Sequence, residues 1–419
     1  MTAPIHPQDY SFKYSDLLLG LQILFIAIGA TVMVPLLTGL DPSVALFTAG
    51  CCTLFYQATT KGQIPIFLGS SFAFVPATFF SIANWGIPGT LFGLACGGLV
   101  YCFMALIIRL RGQNFVNRLF PPMITGPIIM NIGLVLAPVA IHMAMGRSGN
   151  GQEQLYDQNT ALSVAFVALL ATVITLIFGK GRLKLIPLLA GITCGYIVSL
   201  YVGIVDLTPV AQAAWFQFPH FTAPSINWQS ALVMVPIAAV SAIEHIGSIA
   251  AIGSITGRNY AQYPGIQRSL LANGLTTLFA GSVGGPPNTP YAEVTAGVAI
   301  TRSYNPGIMT WAAMAAIALA FVGKIGQFLQ TIPSPVMGGV LVLLFGAITV
   351  TGLHLLTQSK QDLMHPRNMT IVGIVLVIPV GGLSLGAGSF AISGIGLAGL
   401  TALVLNLALP LPKTNGAPA

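Results

Sequence analysis

The chain consists largely of apolar runs of about 20 residues joined by short polar segments. An α-helix of that length spans the roughly 30 Å hydrocarbon core of a bilayer. The pattern therefore predicts fourteen membrane-spanning segments and no separate soluble domain. The predicted spans are residues 17–38, 43–59, 64–82, 87–108, 123–145, 160–178, 185–204, 230–256, 269–283, 288–301, 306–323, 335–356, 368–383 and 390–411.

The third and tenth spans do not read as continuous helices. The third opens at Ile64 and Pro65 and contains Gly69, and the tenth opens at Asn288 and Pro290. Proline removes a backbone donor and glycine relaxes the helix, so each span is predicted to be a short extended stretch followed by a half-helix that begins near mid-membrane. An ordinary kinked helix is the alternative.

The two interrupted spans are seven spans apart along the chain. The same spacing relates Pro121 and Pro122, which open the fifth span, to Pro333 and Pro335 at the twelfth. Because an odd number of spans inverts the second half, we predict an all-α membrane protein with a 7+7 inverted repeat, whose half-helices 3 and 10 meet at the midplane. This arrangement is typical of secondary transporters.

The basic residues orient these spans. Of the 16 lysines and arginines, only Arg147 and Lys324 fall on the side opposite the N-terminus. The positive-inside rule then places both termini in the cytoplasm. The basic residues are scattered singly, which excludes a nucleic-acid surface. At 55% hydrophobic and 6% charged residues, the composition excludes a water-soluble protein.

The N-terminal residues and the cysteines indicate no further functional site. The first 16 residues lack the pattern of a cleavable signal peptide, so the first span is expected to act as an uncleaved insertion signal. All 5 cysteines lie in apolar runs without metal-ligand spacing, and we interpret them as small core residues. No metal site and no cofactor are predicted.

Of 9 acidic residues, only Glu244 and Glu293 lie away from termini, loops and span ends. Glu244 is midway along the eighth span, where no lysine or arginine is available as a partner, so we expect it to exchange protons as the site opens. A permanently protonated interhelical hydrogen bonder is the alternative. Glu293 stands where the tenth-span half-helix begins, and the helix dipole favours its charged form.

Two carboxylates in one cavity suit a neutral ligand that presents several N–H donors, such as a nucleobase or ureide, and disfavour an anion. Ser248 shares a helical face with Glu244 and is placed to donate to a substrate carbonyl, or to serve helix packing. Phe72, at the mouth of the other half-helix, is placed to stack on a flat ring. His245 lies about 100° around the helix from Glu244, towards a neighbouring helix.

Short motifs along nearly the whole chain resemble the nucleobase cation symporter-2 family, also called nucleobase/ascorbate transporters, and in particular its bacterial uracil permeases. The motifs are Gly29-Ala30-Thr31-Val32, Leu68-Gly69-Ser70-Ser71-Phe72-Ala73-Phe74, Glu244-His245-Ile246-Gly247, Asn288-Thr289 with Tyr291-Ala292-Glu293, Ala299-Ile300-Thr301-Arg302, and Ile332-Pro333 with Pro335-Val336-Met337-Gly338-Gly339.

The resemblance implies a core domain, a gate domain and often a homodimer, in the bacterial inner membrane. The core comprises residues 1–118 (spans 1 to 4) and 229–330 (spans 8 to 11). The gate comprises residues 119–228 (spans 5 to 7) and 331–419 (spans 12 to 14).

The resemblance also implies that Glu244 and Glu293 contact the base, with Phe72 and the Ala292 backbone beside it. Tyr291 and Ser248 complete the predicted substrate contacts. Glu244 and His245 are the candidates for proton coupling. Na⁺ in place of H⁺ stays open.

The chain departs from the family pattern at Ile23, Ser248, Val294 and Ala296, each of which removes a hydrogen-bonding group or adds bulk near the site. Phe345 stands where uracil permeases can have tyrosine, and is expected to serve packing.

The expected function is uracil import by proton symport. A xanthine-type purine or another pyrimidine is the alternative within the family. An anion carrier or channel on the same architecture, and an intramembrane enzyme with the two glutamates as acid and base, are the rivals from other classes.

Overall fold

The computed structural model describes residues 9–112, 121–181, 183, 186–302, 304–358, 361–385 and 392–410, and it is mostly helical. The helices, in chain order, are α1 (Leu17–Thr38), α2 (Pro42–Thr59), α3 (Val75–Arg111), α4 (Pro122–Ala144), α5 (Gln158–Phe178), α6 (Pro187–Val202), α7 (Thr208–Gln212), α8 (Trp228–Thr256), α9 (Ile266–Val283), α10 (Ala292–Thr301), α11 (Gly307–Ala320), α12 (Gly323–Gln330), α13 (Ser334–Gln358), α14 (Pro366–Val380) and α15 (Gly394–Ala408). The strands are β1 (Leu68–Ser70), β2 (Asn288–Pro290), β3 (Ser384–Leu385) and β4 (Ile392–Ser393). Short 3₁₀ turns cover Tyr14–Asp16 and Phe72–Phe74, and a π turn covers Ala261–Gly265.

Within the described ranges, six helical segments are long and apolar enough to cross a membrane, which makes the chain a multi-pass membrane protein. Five further apolar helices are shorter, at 10–17 residues. The six long segments are Tyr14–Thr38, Phe72–Arg111, Pro122–Ala144, Gln158–Phe178, Trp228–Thr256 and Ser334–Thr357.

Every predicted span overlaps a helix of the structure. The helix α1 has the predicted bounds, and α2, α4 and α5 differ from theirs by one or two residues. Helix α3 covers both the third and the fourth span, and it is broken at Gly86, whose φ of 69° and ψ of 177° are not helical. The short helices α7 and α12 were not predicted, because five and eight residues are too few for a periodic pattern to be recognised.

Local capping explains where two of the central helices begin. The Asp41 carboxylate accepts the Ser43 N–H at 2.7 Å at the start of α2. The Asn227 side-chain oxygen accepts the Ser230 N–H at 2.8 Å at the start of α8. Both bonds satisfy backbone donors that a helix start leaves free.

The helices pack as two sets. In the first helix set, α3 packs against α8 and α9, α2 against α9 and α11, and α1 against α11. In the second helix set, α13 packs against α4, α5 and α6, and α14 against α4 and α15. Helix α10 lies against α1 and α8. The two sets meet where α1 contacts α6 and where α8 contacts α4 and α15.

Candidate substrate-binding site

The extended stretches of the third and tenth spans pair with each other inside the first helix set. Strands β1 and β2 are antiparallel, with Leu68 opposite Pro290 and Ser70 opposite Asn288. Each strand leads into helix, β1 through the 3₁₀ turn Phe72–Phe74 into α3, and β2 into α10. The pairing satisfies backbone groups that lie far from water, and it brings the starts of two helices together.

Tyr291 and Gly69 fix how closely the two segments approach. The Tyr291 hydroxyl donates to the Ser70 carbonyl at 2.9 Å, and its ring lies directly on Gly69. A Cβ at position 69 would overlap this ring. Tyr291 is buried, and these two contacts support the strand pair. Its predicted contact with the substrate stays a prediction.

Two hydrogen bonds that involve hydroxyl groups hold β1 against α1 and α2. The Thr53 hydroxyl accepts the Leu68 N–H at 2.9 Å, and the Ser70 hydroxyl donates to the Thr31 carbonyl at 2.8 Å. All four residues are buried. Sequence reasoning did not single out Thr53 as a support, because a threonine inside an apolar helix carries no signal of its partner.

Helix α8, which carries Glu244, packs against the turn Phe72–Phe74, against β2 and against α10. Glu293 lies in the first turn of α10. Both glutamates are partly exposed, and they are close enough for their charges to interact. In the described part of the chain neither is ion-paired with a lysine or arginine. The two acids predicted from the sequence therefore lie together.

The start of α10 adds donors to these acceptors. The first backbone N–H groups of a helix have no partner within it, and the positive end of the helix dipole points the same way. Ala292 is exposed at this helix start. Carboxylates that accept and backbone groups that donate can together bind a polar ring through its edge.

Two aromatic rings complete the surroundings. Phe72 is partly exposed and its ring meets that of Phe345 edge to face, with centroids 6.2 Å apart at 78°. Phe345 is buried and belongs to α13, in the second helix set. The aromatic pair therefore joins the two helix sets at the turn on which α8 packs.

Ser248 is partly exposed one turn after Glu244. Its hydroxyl donates to the Glu244 carbonyl at 3.1 Å, a bond within the helix. The oxygen keeps capacity to accept, but donation to a substrate carbonyl would require this bond to break.

His245 points away from the glutamates. It is fully buried, and its Nε2 lies 2.7 Å from the Ser269 hydroxyl, which lies 2.6 Å from the Tyr56 hydroxyl. These bonds join α8 to α9 and α2. The structure gives His245 a packing role, and its part in proton coupling stays a prediction.

Two of the departures from the family pattern place buried apolar side chains in or beside α10. Val294 is 1% exposed, and Ile23 on α1 is 2% exposed and lies near Gly297 of α10. Among the described residues, no group of three or more His, Cys, Asp or Glu side chains is placed to hold a metal ion.

Comparison with known proteins shows full-length relatives. The model of a family described as "Permease family" matches residues 15–386. The chain is 45% identical over 99% of its length, and 100% of the relative's, to the "Probable uracil permease" of Haemophilus influenzae. It is 40% identical over 98% of its length to the "Uracil permease" of Bacillus subtilis, of which it covers 96%.

A solved structure shares the fold at low identity. The transmembrane domain of the cyanobacterial bicarbonate transporter BicA superposes with a TM-score of 0.63 at 16% identity, covering 94% of this chain and 97% of that one. A sequence identity of 16% supports a shared architecture but gives no information about the substrate. The family match and the full-length relatives agree with the motifs: the chain belongs to the nucleobase cation symporter-2 family of permeases.

Proposed function

We propose that this protein is a uracil permease that imports its substrate by proton symport across the bacterial inner membrane. The observation that carries the proposal is the electrostatic proximity of Glu244, on α8, to Glu293, at the start of α10; among the described residues neither is ion-paired with a lysine or arginine. Relatives at 45% and 40% identity over nearly the full chain carry the name uracil permease, which supports the choice of substrate.

Uracil matches the chemistry of the site. Its ring is flat and neutral, and one edge presents N–H donors beside carbonyl acceptors. The glutamates accept hydrogen bonds, the start of α10 donates them, and Phe72 offers an aromatic face or edge. An anionic substrate would meet two acidic groups, and no lysine or arginine of the described residues is ion-paired with them.

The architecture proposed with this function has fourteen spans in a 7+7 inverted repeat, and both termini in the cytoplasm. The packing of the helices supports a core that contains the first helix set and a gate that contains the second. In the homodimer that we propose, the gate is the anchored part. The core carries the base past the gate, and the Phe72–Phe345 contact lies on the boundary between them.

Glu244 is the proposed proton carrier. A proton on this carboxyl lowers the charge of the loaded site, which reduces the free energy of moving the core through the low-dielectric region. The proton then leaves on the side where its concentration is lower, and the base follows. No cofactor takes part in this cycle.

The test of substrate identity is uptake of labelled uracil into proteoliposomes with unlabelled competitors. We expect excess uracil to abolish uptake, while xanthine, hypoxanthine, uric acid and ascorbate leave it nearly unchanged; thymine measures how tightly the ring is recognised. Inhibition by xanthine at lower concentrations than uracil would make the protein a purine permease of the same family.

A further inference from the structure

Two chain segments lie across opposite ends of the first helix set. Strap 1 is residues 9–16, which precede α1, and strap 2 is residues 213–227, which precede α8. Because α1 and α8 are the first helices of the two proposed halves, the straps have equivalent places in the sequence. Neither strap contains a residue of the candidate site.

Strap 1 contacts the ends of two helices. The Asp9 carboxylate is 3.0 Å from the guanidinium of Arg258, just after the end of α8. The ring of Tyr10 packs on Gly62, just after the end of α2. Since the Asp9 side chain is 88% exposed, water screens the ion pair and it contributes little by itself.

Asn305, just before α11, is the main anchor of strap 1. Its side-chain oxygen accepts the N–H groups of Ser11 at 3.0 Å and Gly307 at 2.9 Å. Its amide nitrogen donates to the Ser11 carbonyl at 2.8 Å and to the Asp16 carboxylate at 2.9 Å. Asn305 is only 2% exposed, so these bonds are shielded from water and their loss leaves buried polar groups unsatisfied.

Strap 2 makes matching contacts at the other end of the set. The His220 N–H donates to the Asp41 carboxylate at 3.1 Å, just after the end of α1. The Thr222 N–H donates at 3.3 Å to the carbonyl of Val283, the last residue of α9. Asp9 and His220 each lie eight residues before the first residue of α1 and α8, respectively.

The third contact of strap 2 completes the correspondence. The Ser225 N–H donates at 2.9 Å to the carbonyl of Pro88, where the second part of α3 begins after the break at Gly86. The contacts of the two straps thus correspond in pairs. The end of α8 at strap 1 corresponds to the end of α1 at strap 2, and the end of α2 corresponds to the end of α9. The start of α11 corresponds to the point where α3 begins again after Gly86. Every pair is related by the same shift of seven predicted spans.

We infer that the two straps are equivalent parts of the repeat, and that each ties helix ends of the first helix set together so that set and straps move as one body. The inference rests on the proposed function, because it concerns the helix set that carries the substrate. Asn305 and Asp41 are positioning residues in this account. A strap that acted as a lid would instead have to leave its contacts in every cycle.

Covalent linkage distinguishes a strap that moves with the first helix set from a strap that opens as a lid. Tyr10→Cys with Thr310→Cys fixes strap 1 to α11 through a short bis-maleimide, since the native hydroxyl oxygens are 3.1 Å apart. As the control, Gly29→Cys with Leu188→Cys joins α1 to α6, where the two Cβ atoms would be 3.4 Å apart, near disulfide range. This control links the two helix sets to each other.

We expect the strap-linked protein to keep uracil uptake within about twofold of the unlinked protein, and the control link to reduce uptake by more than about tenfold. Loss of uptake in the strap-linked protein as complete as in the control overturns the inference. The unlinked variants are the reference: if they take up no uracil, the proposed function fails, and the strap is then judged by the following measurement, which needs no transport.

That measurement is amide hydrogen exchange in Asn305→Ala. We expect exchange about tenfold faster in strap 1 and also in residues 57–63 and 254–259, because the strap holds those helix ends. Faster exchange confined to residues 9–16 would show that the strap ties nothing together. Trp311→Phe removes the 2.9 Å bond from Nε1 to the Lys13 carbonyl and reduces the ring surface stacked on Phe12 of strap 1. This variant tests the same pattern if the alanine variant does not fold.

Discussion

At the residue scale, the proposed function depends on two carboxylates that differ in their surroundings. Glu244 lies in the middle of a long helix, and Glu293 lies at the start of a short one. A helix start stabilises negative charge, whereas the middle of a helix offers no free backbone donors. This difference is why we assign steady substrate binding to Glu293 and proton exchange to Glu244.

Replacing Glu293 by Gln should weaken uracil binding by about 10- to 100-fold, because a charged acceptor at the ring edge becomes a neutral amide. The measurement is the uracil-dependent thermal shift of the purified protein. Glu153→Gln, in an exposed loop, is the matched control and should bind as the wild type does. Equal affinity in Glu293→Gln and the control would remove Glu293 from the site.

Phe345→Tyr is the second residue-scale prediction. It adds a hydroxyl to a buried ring in edge contact with Phe72, at a position where related uracil permeases can have tyrosine. If the ring borders the substrate, uracil affinity should change by about threefold or more while the melting temperature of the empty protein changes little. Unchanged affinity with a lower melting temperature would mean that Phe345 serves packing alone.

At the element scale, the antiparallel pair β1–β2 organises the site. Proline and glycine at the openings of the third and tenth spans predicted extended stretches, and the structure has them at 68–70 and 288–290. That these stretches pair in register, and that Tyr291 closes over Gly69, follows from contacts between distant parts of the chain. Local sequence patterns do not contain such contacts.

Gly69→Ala tests how close this approach is. The added methyl overlaps the Tyr291 ring, so the two strands must move apart, and we expect a loss of about 1–3 kcal/mol in stability together with loss of uptake. Gly373→Ala, where an added Cβ meets no atom within 4 Å, is the control and should be neutral. The measurements are the melting temperature and the uracil uptake of both variants. If Gly69→Ala is as neutral as Gly373→Ala, the Tyr291 ring and Gly69 are not closely packed.

Side-chain roles were harder to predict than helix positions. Helix bounds follow from apolar run length and from prolines and capping residues, which are local features. The orientation of His245 towards Ser269, and the internal bond of the Ser248 hydroxyl, depend on which helices surround α8. The buried hydroxyls that hold β1 were missed for the same reason.

At the scale of the whole molecule, the proposed mechanism needs two bodies that move relative to each other with the site on one of them. Both glutamates, both strands and Phe72 belong to or border the first helix set, whereas Phe345 lies in the second. Protonation of Glu244 changes the charge of the part that moves. In the proposed mechanism, this one carboxyl group couples proton flow to uracil flow.

The most direct test is uptake of labelled uracil into proteoliposomes under an imposed pH gradient, acidic outside. We predict that uracil accumulates above its external concentration, that accumulation disappears when a protonophore removes the gradient, and that Glu244→Gln exchanges uracil without responding to the gradient. Equal uptake with and without the gradient, or gradient-driven accumulation by Glu244→Gln at the wild-type level, would contradict proton coupling through Glu244.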